Sequence, residues 1–139
     1  MSKLKRIIYI DDQTDILLIA EYALTQVGNY HAQMCEGGAQ ALEKIEQFNP
    51  DIILLDVMMP GLDGPETLSR IRKIKSFEST PAIFITAKIF PKEVEELRSC
   101  DDAVIGVIAK PFDPLLLSET VQSEWDSWLA KICKKPEDV

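Results

Sequence analysis

The 139 residues suit one domain, long enough to bury a core without disulfide or metal staples. Hydrophobic residues at 46% and charged residues at 27% exclude a disordered chain, and a net charge of −8 argues against broad nucleic-acid binding or an acidic membrane surface as partner. No apolar run approaches the roughly 20 residues of a membrane span. The basic start Met1–Arg6 is followed by too short an apolar run before Asp11 and Asp12 to serve as a signal peptide.

Along the chain, short apolar runs alternate with segments of helical period. The first strand is predicted at Ile7–Ile10, followed by a helix with Ile16, Ile19, Ala20, Ala23, Leu24 and Val27 on one face, ended by Gly28 and Asn29. A weaker strand follows at Tyr30–Met34, then a helix through Ala41, Leu42 and Ile45 that stops before Asn49-Pro50. Ile52–Leu55 reads as the third strand, with a helix after it carrying Leu68, Ile71 and Ile74 and opened by Pro65. Ala82–Ile85 is the fourth strand, and Pro91 opens a helix through Val94 and Leu97. Val104–Ile108 is the fifth, before a last helix marked by Leu117, Val121, Trp125, Trp128 and Ile132. Five β-α units with near-continuous apolar strands imply an α/β fold, a doubly wound parallel sheet covered on both faces. Such a sheet places its chemistry outside the carboxyl ends of its strands.

Polar residues gather at those ends. Strand 1 runs into Asp11-Asp12, strand 3 into Asp56, strand 4 into Thr86 and strand 5 into Lys110-Pro111. Each has an ordinary reading alone: a carboxylate after a strand caps a helix, a threonine makes a turn, a lysine is solvated surface. Their shared edge makes the set informative. If strands 1 and 3 are neighbours, Asp11, Asp12 and Asp56 crowd together, and like charges that close call for a cation. Mg²⁺ is a hard, oxygen-seeking ion that suits them. An acidic pocket with a lysine and a threonine fits phosphoryl transfer, and a carboxylate can itself accept the group.

These residues carry a resemblance to the receiver domain of bacterial two-component response regulators, over about residues 5–132. The matching stretches are Ile8-Tyr-Ile-Asp-Asp12, Asp51-Ile-Ile-Leu-Leu-Asp-Val-Met-Met-Pro-Gly-Leu-Asp-Gly64, Ile83-Phe-Ile-Thr-Ala87 and Val107-Ile-Ala-Lys-Pro-Phe112. Four such motifs in order are specific where one is not. The resemblance implies a flavodoxin-like (βα)5 sandwich with strand order 2-1-3-4-5. It makes Asp56 the phosphoacceptor. Asp11 and Asp12 hold Mg²⁺, Asp12 the more directly, with Asp56 and the backbone carbonyl of Met58 as further ligands. Thr86 and Lys110 bind phosphoryl oxygens, and Lys110-Pro111 is similar to the family's cis peptide. Gly61 and Gly64 fit a tight loop after Asp56. The donor it implies is a histidine kinase or histidine phosphotransfer protein.

Two departures stand out. Many receivers carry Tyr or Phe where this chain has Val107, so output needs another route, such as movement of the loop and helix after Thr86. The segment Ser99–Gly106 looks about two residues longer than in typical receivers. The expected organisation is a receiver over 1–133 and a short tail, 134–139, with no output domain, making a stand-alone, cytoplasmic signalling module rather than a metabolic enzyme. Its output would be a protein contact or onward phosphotransfer.

Other features have plainer readings. His31 reads as surface or structural. Trp125 and Trp128 suit helix-to-sheet packing, with an apolar docking or homodimer surface as the alternative. Met58-Met59 suits loop packing. Arg70, Arg72, Lys73 and Lys75 suit a solvated helix face. Cys35, Cys100 and Cys133 form no CxxC pair or disulfide framework, which suits a reducing cytoplasm. A binding module that is never phosphorylated is the competing reading. A phosphatase using Asp56 as nucleophile fits less well, since Met58 stands where such enzymes commonly place a second Asp, and no GxGxxG follows strand 1 for a dinucleotide.

Overall fold

The computed structural model describes residues 3–134, so most of the expected tail, 135–139, lies outside the described residues. Five parallel strands, β1 (Arg6–Ile10), β2 (His31–Cys35), β3 (Ile52–Asp56), β4 (Ala82–Thr86) and β5 (Val104–Ala109), form one sheet in the order β2-β1-β3-β4-β5. The helices are α1 (Thr14–Tyr22), α2 (Gly38–Phe48), α3 (Gly64–Arg72), α4 (Pro91–Ser99) and α5 (Leu117–Lys134). This is the flavodoxin-like doubly wound fold that the alternation and the resemblance both imply.

The sheet separates two cores. Ile7, Tyr9, Leu54, Ile83 and Ile85 share a core with Ala20 of α1, Leu24 just after it, and Val121 and Trp125 of α5. Ile8, Ile10, Ile53, Leu55 and Phe84 face Ala41, Ile45, Leu68 and Ile71 of α2 and α3. Alternate strand residues point to opposite faces, so β3 and β4 must be apolar throughout, and both are buried at every position. The edge strand β2 has only Cys35 fully buried, which explains its weak sequence signal.

Local chemistry sets the helix ends. α1 continues into a wide π-helical turn over Ala23–Val27, and Asn29 then takes a left-handed φ of 63°. Asn49 ends α2 in the same way at φ 56°. Asp63 caps α3 by accepting from the Glu66 amide at 2.8 Å, while the Glu66 carboxylate accepts from the Asp63 amide at 3.1 Å.

Two sequence readings need correction. Arg72 is not on a solvated face. Its guanidinium holds both oxygens of Asp101, at 2.9 and 3.0 Å, and donates to the carbonyls of Phe77 and Thr80 at 2.8 and 2.6 Å. The segment before β5 is held by this clamp and enters the strand through a bulge. Ala82 pairs with Val104 and Ile83 with Gly106, leaving Ile105 as the extra residue. Finally, α5 runs one residue further than expected, through Lys134. Trp125 lies in the core with Trp128 against it, ring centroids 5.1 Å apart, so Trp125 is a packing residue. His31 is exposed at the opposite end of the sheet from Asp56, its ring against Phe48 and its Nδ1 3.1 Å from Arg6 Nη1.

Burial raises the Asp101 pKa, but the Arg72 hydrogen bond, the Ala103 amide and the Arg72 charge outweigh it and hold the carboxyl below its usual range. A depressed carboxylate contributes stability that is present above its unfolded pKa and lost as pH falls through the lower folded pKa. Asp101→Asn should therefore lower urea-unfolding stability by about 1–3 kcal/mol near neutral pH. The gap to wild type should shrink by about pH 3, below the usual carboxylate range.

Candidate functional site

The ends of β1, β3, β4 and β5 bring Asp11, Asp12, Asp56, Thr86 and Lys110 to one edge of the sheet. Ile10 pairs with Leu55 across β1 and β3, so the next residues along each, Asp11 and Asp56, are neighbours. Carboxylate oxygens of Asp11, Asp12 and Asp56 all lie within 4.8 Å of one another. Asp11 is fully buried, Asp56 nearly so, and Asp12 half-buried at the mouth. Three close carboxylates with one open to solvent are a fitting oxygen-donor set for a small hard divalent cation such as Mg²⁺.

Lys110 reaches across from the end of β5. Its Nζ donates to Asp11 Oδ2 at 2.9 Å, Gln13 Oε1 at 2.8 Å and Asp56 Oδ2 at 3.3 Å. All three of its protons are thus committed. Burial lowers the Lys110 pKa, but the hydrogen bond to Asp11 and the charges of Asp11 and Asp56 reverse this and leave it raised. Asp56 is also raised, by burial first and then by the charge of Asp11, despite the opposing pull of Lys110. Three carboxylates face one lysine in this site.

Asp12, Gln13, Asp56, Met58, Ala87, Lys110 and Pro111 line a cleft of about 480 Å³ open to solvent. The Met58 side chain is 62% exposed at its rim, while Met59 packs into the core, so loop packing holds for only one of the two methionines. Thr86 is buried at the end of β4, and its hydroxyl oxygen accepts from the Lys88 amide at 3.0 Å. The Lys110–Pro111 peptide is cis, as the resemblance implies. Gly61 has φ +79°. At Gly64 a Cβ would come within 2.5 Å of the Asp56 carbonyl oxygen, so glycine lets α3 start directly beneath the site.

Sequence reading missed Gln13. Its side chain holds Lys110, and its amide donates to Asp11 Oδ1 at 3.0 Å. Its position directly after the acidic pair was the available signal. Tyr9 was also missed. Its buried hydroxyl has no hydrogen-bond partner at acceptable geometry among the described residues. Burial first, and then the charges of Asp11 and Asp56, push its pKa upward. Burial pushes the Cys35 thiol up to about 11 against the pull of Lys44, and no disulfide joins the described cysteines.

Fold and site together define a flavodoxin-like domain with an acidic, lysine-bridged pocket at its strand ends. Residues 7–122 match the family model described as the response regulator receiver domain. The chain belongs to that family. It is 32% identical over 119 residues to the alkaline phosphatase synthesis transcriptional regulatory protein PhoP of Bacillus subtilis, covering 86% of this chain and 48% of that one. It is 36% identical over 109 residues to the transcriptional regulatory protein ResD of the same organism, covering 78% of this chain and 43% of that one. The chain thus spans about half the length of these curated relatives. Among solved structures, chemotaxis response regulator CheY4 of Vibrio cholerae superposes with a TM-score of 0.78 at 26% identity, covering 88% of this chain and 99% of that one. Receiver domains are signalling phosphoacceptors of two-component systems and generally bind Mg²⁺ at an acidic pocket. Among the described residues no helix is long and apolar enough to cross a membrane.

A carboxylate whose folded pKa is raised binds its proton more tightly in the fold, so stability falls as pH rises from the unfolded to the folded pKa. Ionised Asp56 therefore costs stability at neutral pH. In chelated protein Asp56→Asn should raise the melting temperature, by about 2–5 °C on the usual scale for one kcal/mol or less. Added Mg²⁺ should stabilise wild type more than the variant.

Proposed function

We propose that this domain is a phosphorylation-controlled switch in which Asp56 accepts a phosphoryl group from a histidine kinase or a histidine phosphotransfer protein. The observation that carries the reading is the Lys110 ammonium held between Asp11 and Asp56 at the mouth of an open acidic cleft. Lys110 engages Asp56 Oδ2, which leaves Oδ1 as the attacking oxygen. In the transfer an Asp56 oxygen–phosphorus bond forms and the donor's nitrogen–phosphorus bond breaks, with the electron pair remaining on the imidazole. Asp11, Asp12, Asp56 and the Met58 carbonyl would hold Mg²⁺, which when bound offsets the negative charge of the phosphoryl oxygens. Lys110 pairs with one of those oxygens. Thr86 accepts the Lys88 amide through its oxygen alone, so its own proton is free to donate to another.

That hydroxyl also suggests the output route. If Thr86 turns toward the phosphoryl group, its grip on the Lys88 amide changes, and the loop that follows carries two exposed apolar side chains, Ile89 and Phe90, the latter 72% exposed. A receiver with Val107 in place of an aromatic can report its state by moving this loop. The signal then passes by protein contact or onward phosphotransfer.

Incubation with Mg²⁺ and a small phosphodonor, followed by intact-mass spectrometry, should show one added phosphoryl group. It should vanish in Asp56→Asn and in chelated samples. No addition from the small donor or from candidate kinases, together with no Mg²⁺ binding, would establish the phosphorylation-independent binding module instead.

A further inference from the structure

We propose that Gln13 is a positioning residue that latches Lys110 in the resting domain. Its side-chain oxygen holds the place on the Lys110 ammonium that a phosphoryl oxygen takes over when Asp56 is phosphorylated. The inference deepens the reading of Asp56 as phosphoacceptor and rests on it.

The backbone of Gln13 is fixed on both sides. Its amide donates to Asp11 Oδ1 at 3.0 Å, and its carbonyl accepts from the Leu17 amide at 3.0 Å, which closes the first turn of α1. Gln13 thus stands at the capping position of α1, where Ser, Thr, Asp or Asn would bond the free helix amides through a short side chain. The Gln13 side chain makes no such bond. It turns to the cleft, whose wall it forms with Asp56, Met58, Ala87 and Lys110, and its Oε1 accepts from Lys110 Nζ at 2.8 Å. That contact is the shortest of the three that Lys110 makes there.

The three acceptors differ in what it costs to leave them. Asp11 is buried and charged, Asp56 is charged and nearly buried, and both belong to the carboxylate set that suits a cation. Gln13 is neutral and exposed, so water replaces its bond to Lys110 at little cost. A phosphoryl group built on Asp56 lies in the same cleft, and its charged oxygens are stronger acceptors for an ammonium than a carboxamide oxygen. The three protons of Lys110 are already committed, so a bond to a phosphoryl oxygen requires one release, and Gln13 is the partner released. The latch therefore opposes any anion that seeks Lys110 by the strength of one exposed hydrogen bond.

The test uses Gln13→Met, which keeps the length of the side chain and removes the acceptor, beside Gln13→Ala, which removes both. Each is compared with wild type by thermal unfolding without metal, by Mg²⁺ binding alone, and by binding of beryllium fluoride, a stable phosphoryl mimic, at saturating Mg²⁺. Both variants should fold and bind Mg²⁺ within about twofold of wild type, since Gln13 offers no carboxylate to the ion. Both should bind beryllium fluoride about fivefold more tightly, the worth of a hydrogen bond that the mimic no longer has to displace. A residue that only walls the cleft would alter binding in Gln13→Ala and not in Gln13→Met. A Gln13→Met variant that binds the mimic no more tightly than wild type therefore overturns the inference. Tightening of Mg²⁺ binding by the same factor overturns it as well, because the change would then belong to the cation and not to the ammonium. Were Gln13→Met unfolded, Gln13→Asn takes its place, a good cap whose side chain is one methylene shorter, and the same outcomes decide. A wild type that binds no beryllium fluoride at saturating Mg²⁺ would sink the phosphorylation reading, whereas a wild type that binds it beside unaltered variants sinks the latch alone.

Discussion

A single ammonium group set among buried carboxylates governs this site. Asp11 and Asp56 follow or end adjacent parallel strands, so the sheet presses two carboxylates together where water reaches poorly. Lys110 offsets part of that repulsion from two strands further along the sheet. One ammonium faces the carboxylates of Asp11, Asp12 and Asp56, and burial together with the Asp11 charge still holds the Asp56 pKa up. A pocket that lacks positive charge in its resting state is ready for a cation and for whatever anion the cation brings.

Holding Lys110 in place depends on structure far from the cleft. β5 is an edge strand, and the bulge at Ile105 sets which of its residues reaches the end of the sheet. The Arg72–Asp101 clamp ties the turn before β5 to the end of α3 and the loop leading to β4. On the other side, the capped start of α3 and the missing side chain at Gly64 let that helix begin directly under Asp56. The chemistry sits at the strand ends and on the loops that follow them, and packing behind the strands decides where those ends fall.

Much of this was legible in the chain. β3 and β4 could be read because a strand buried on both faces must be apolar at every position, whereas β2 gave a faint signal because an edge strand need not be. The Asp63–Glu66 capping pair stands in the sequence as Asp-Gly-Pro-Glu and could have been read there. Arg72 could not. It sits among Arg70, Lys73 and Lys75, which are exposed, and only the fold turns it toward Asp101, 29 residues away. Trp125 and Trp128 posed the same problem, since helical spacing says which residues share a face and not what covers it.

The sequence by itself determined the class of fold, the edge of the sheet where the chemistry lies, and the acidic pair, Asp56, Thr86 and Lys110 that meet there. These follow from local rules: strand and helix periods are written in consecutive residues, and a parallel sheet sends every strand's carboxyl end to the same side. Only the tertiary structure decided the contacts made at that edge. Lys110 shares its protons among Asp11, Asp56 and Gln13, and Tyr9 keeps a hydroxyl beside Asp11 with no acceptor at bonding geometry among the described residues. The Lys110 contacts join residues 54 to 99 positions apart. No local pattern encodes which of several nearby acceptors a flexible ammonium will choose; the packing of both layers against the sheet does.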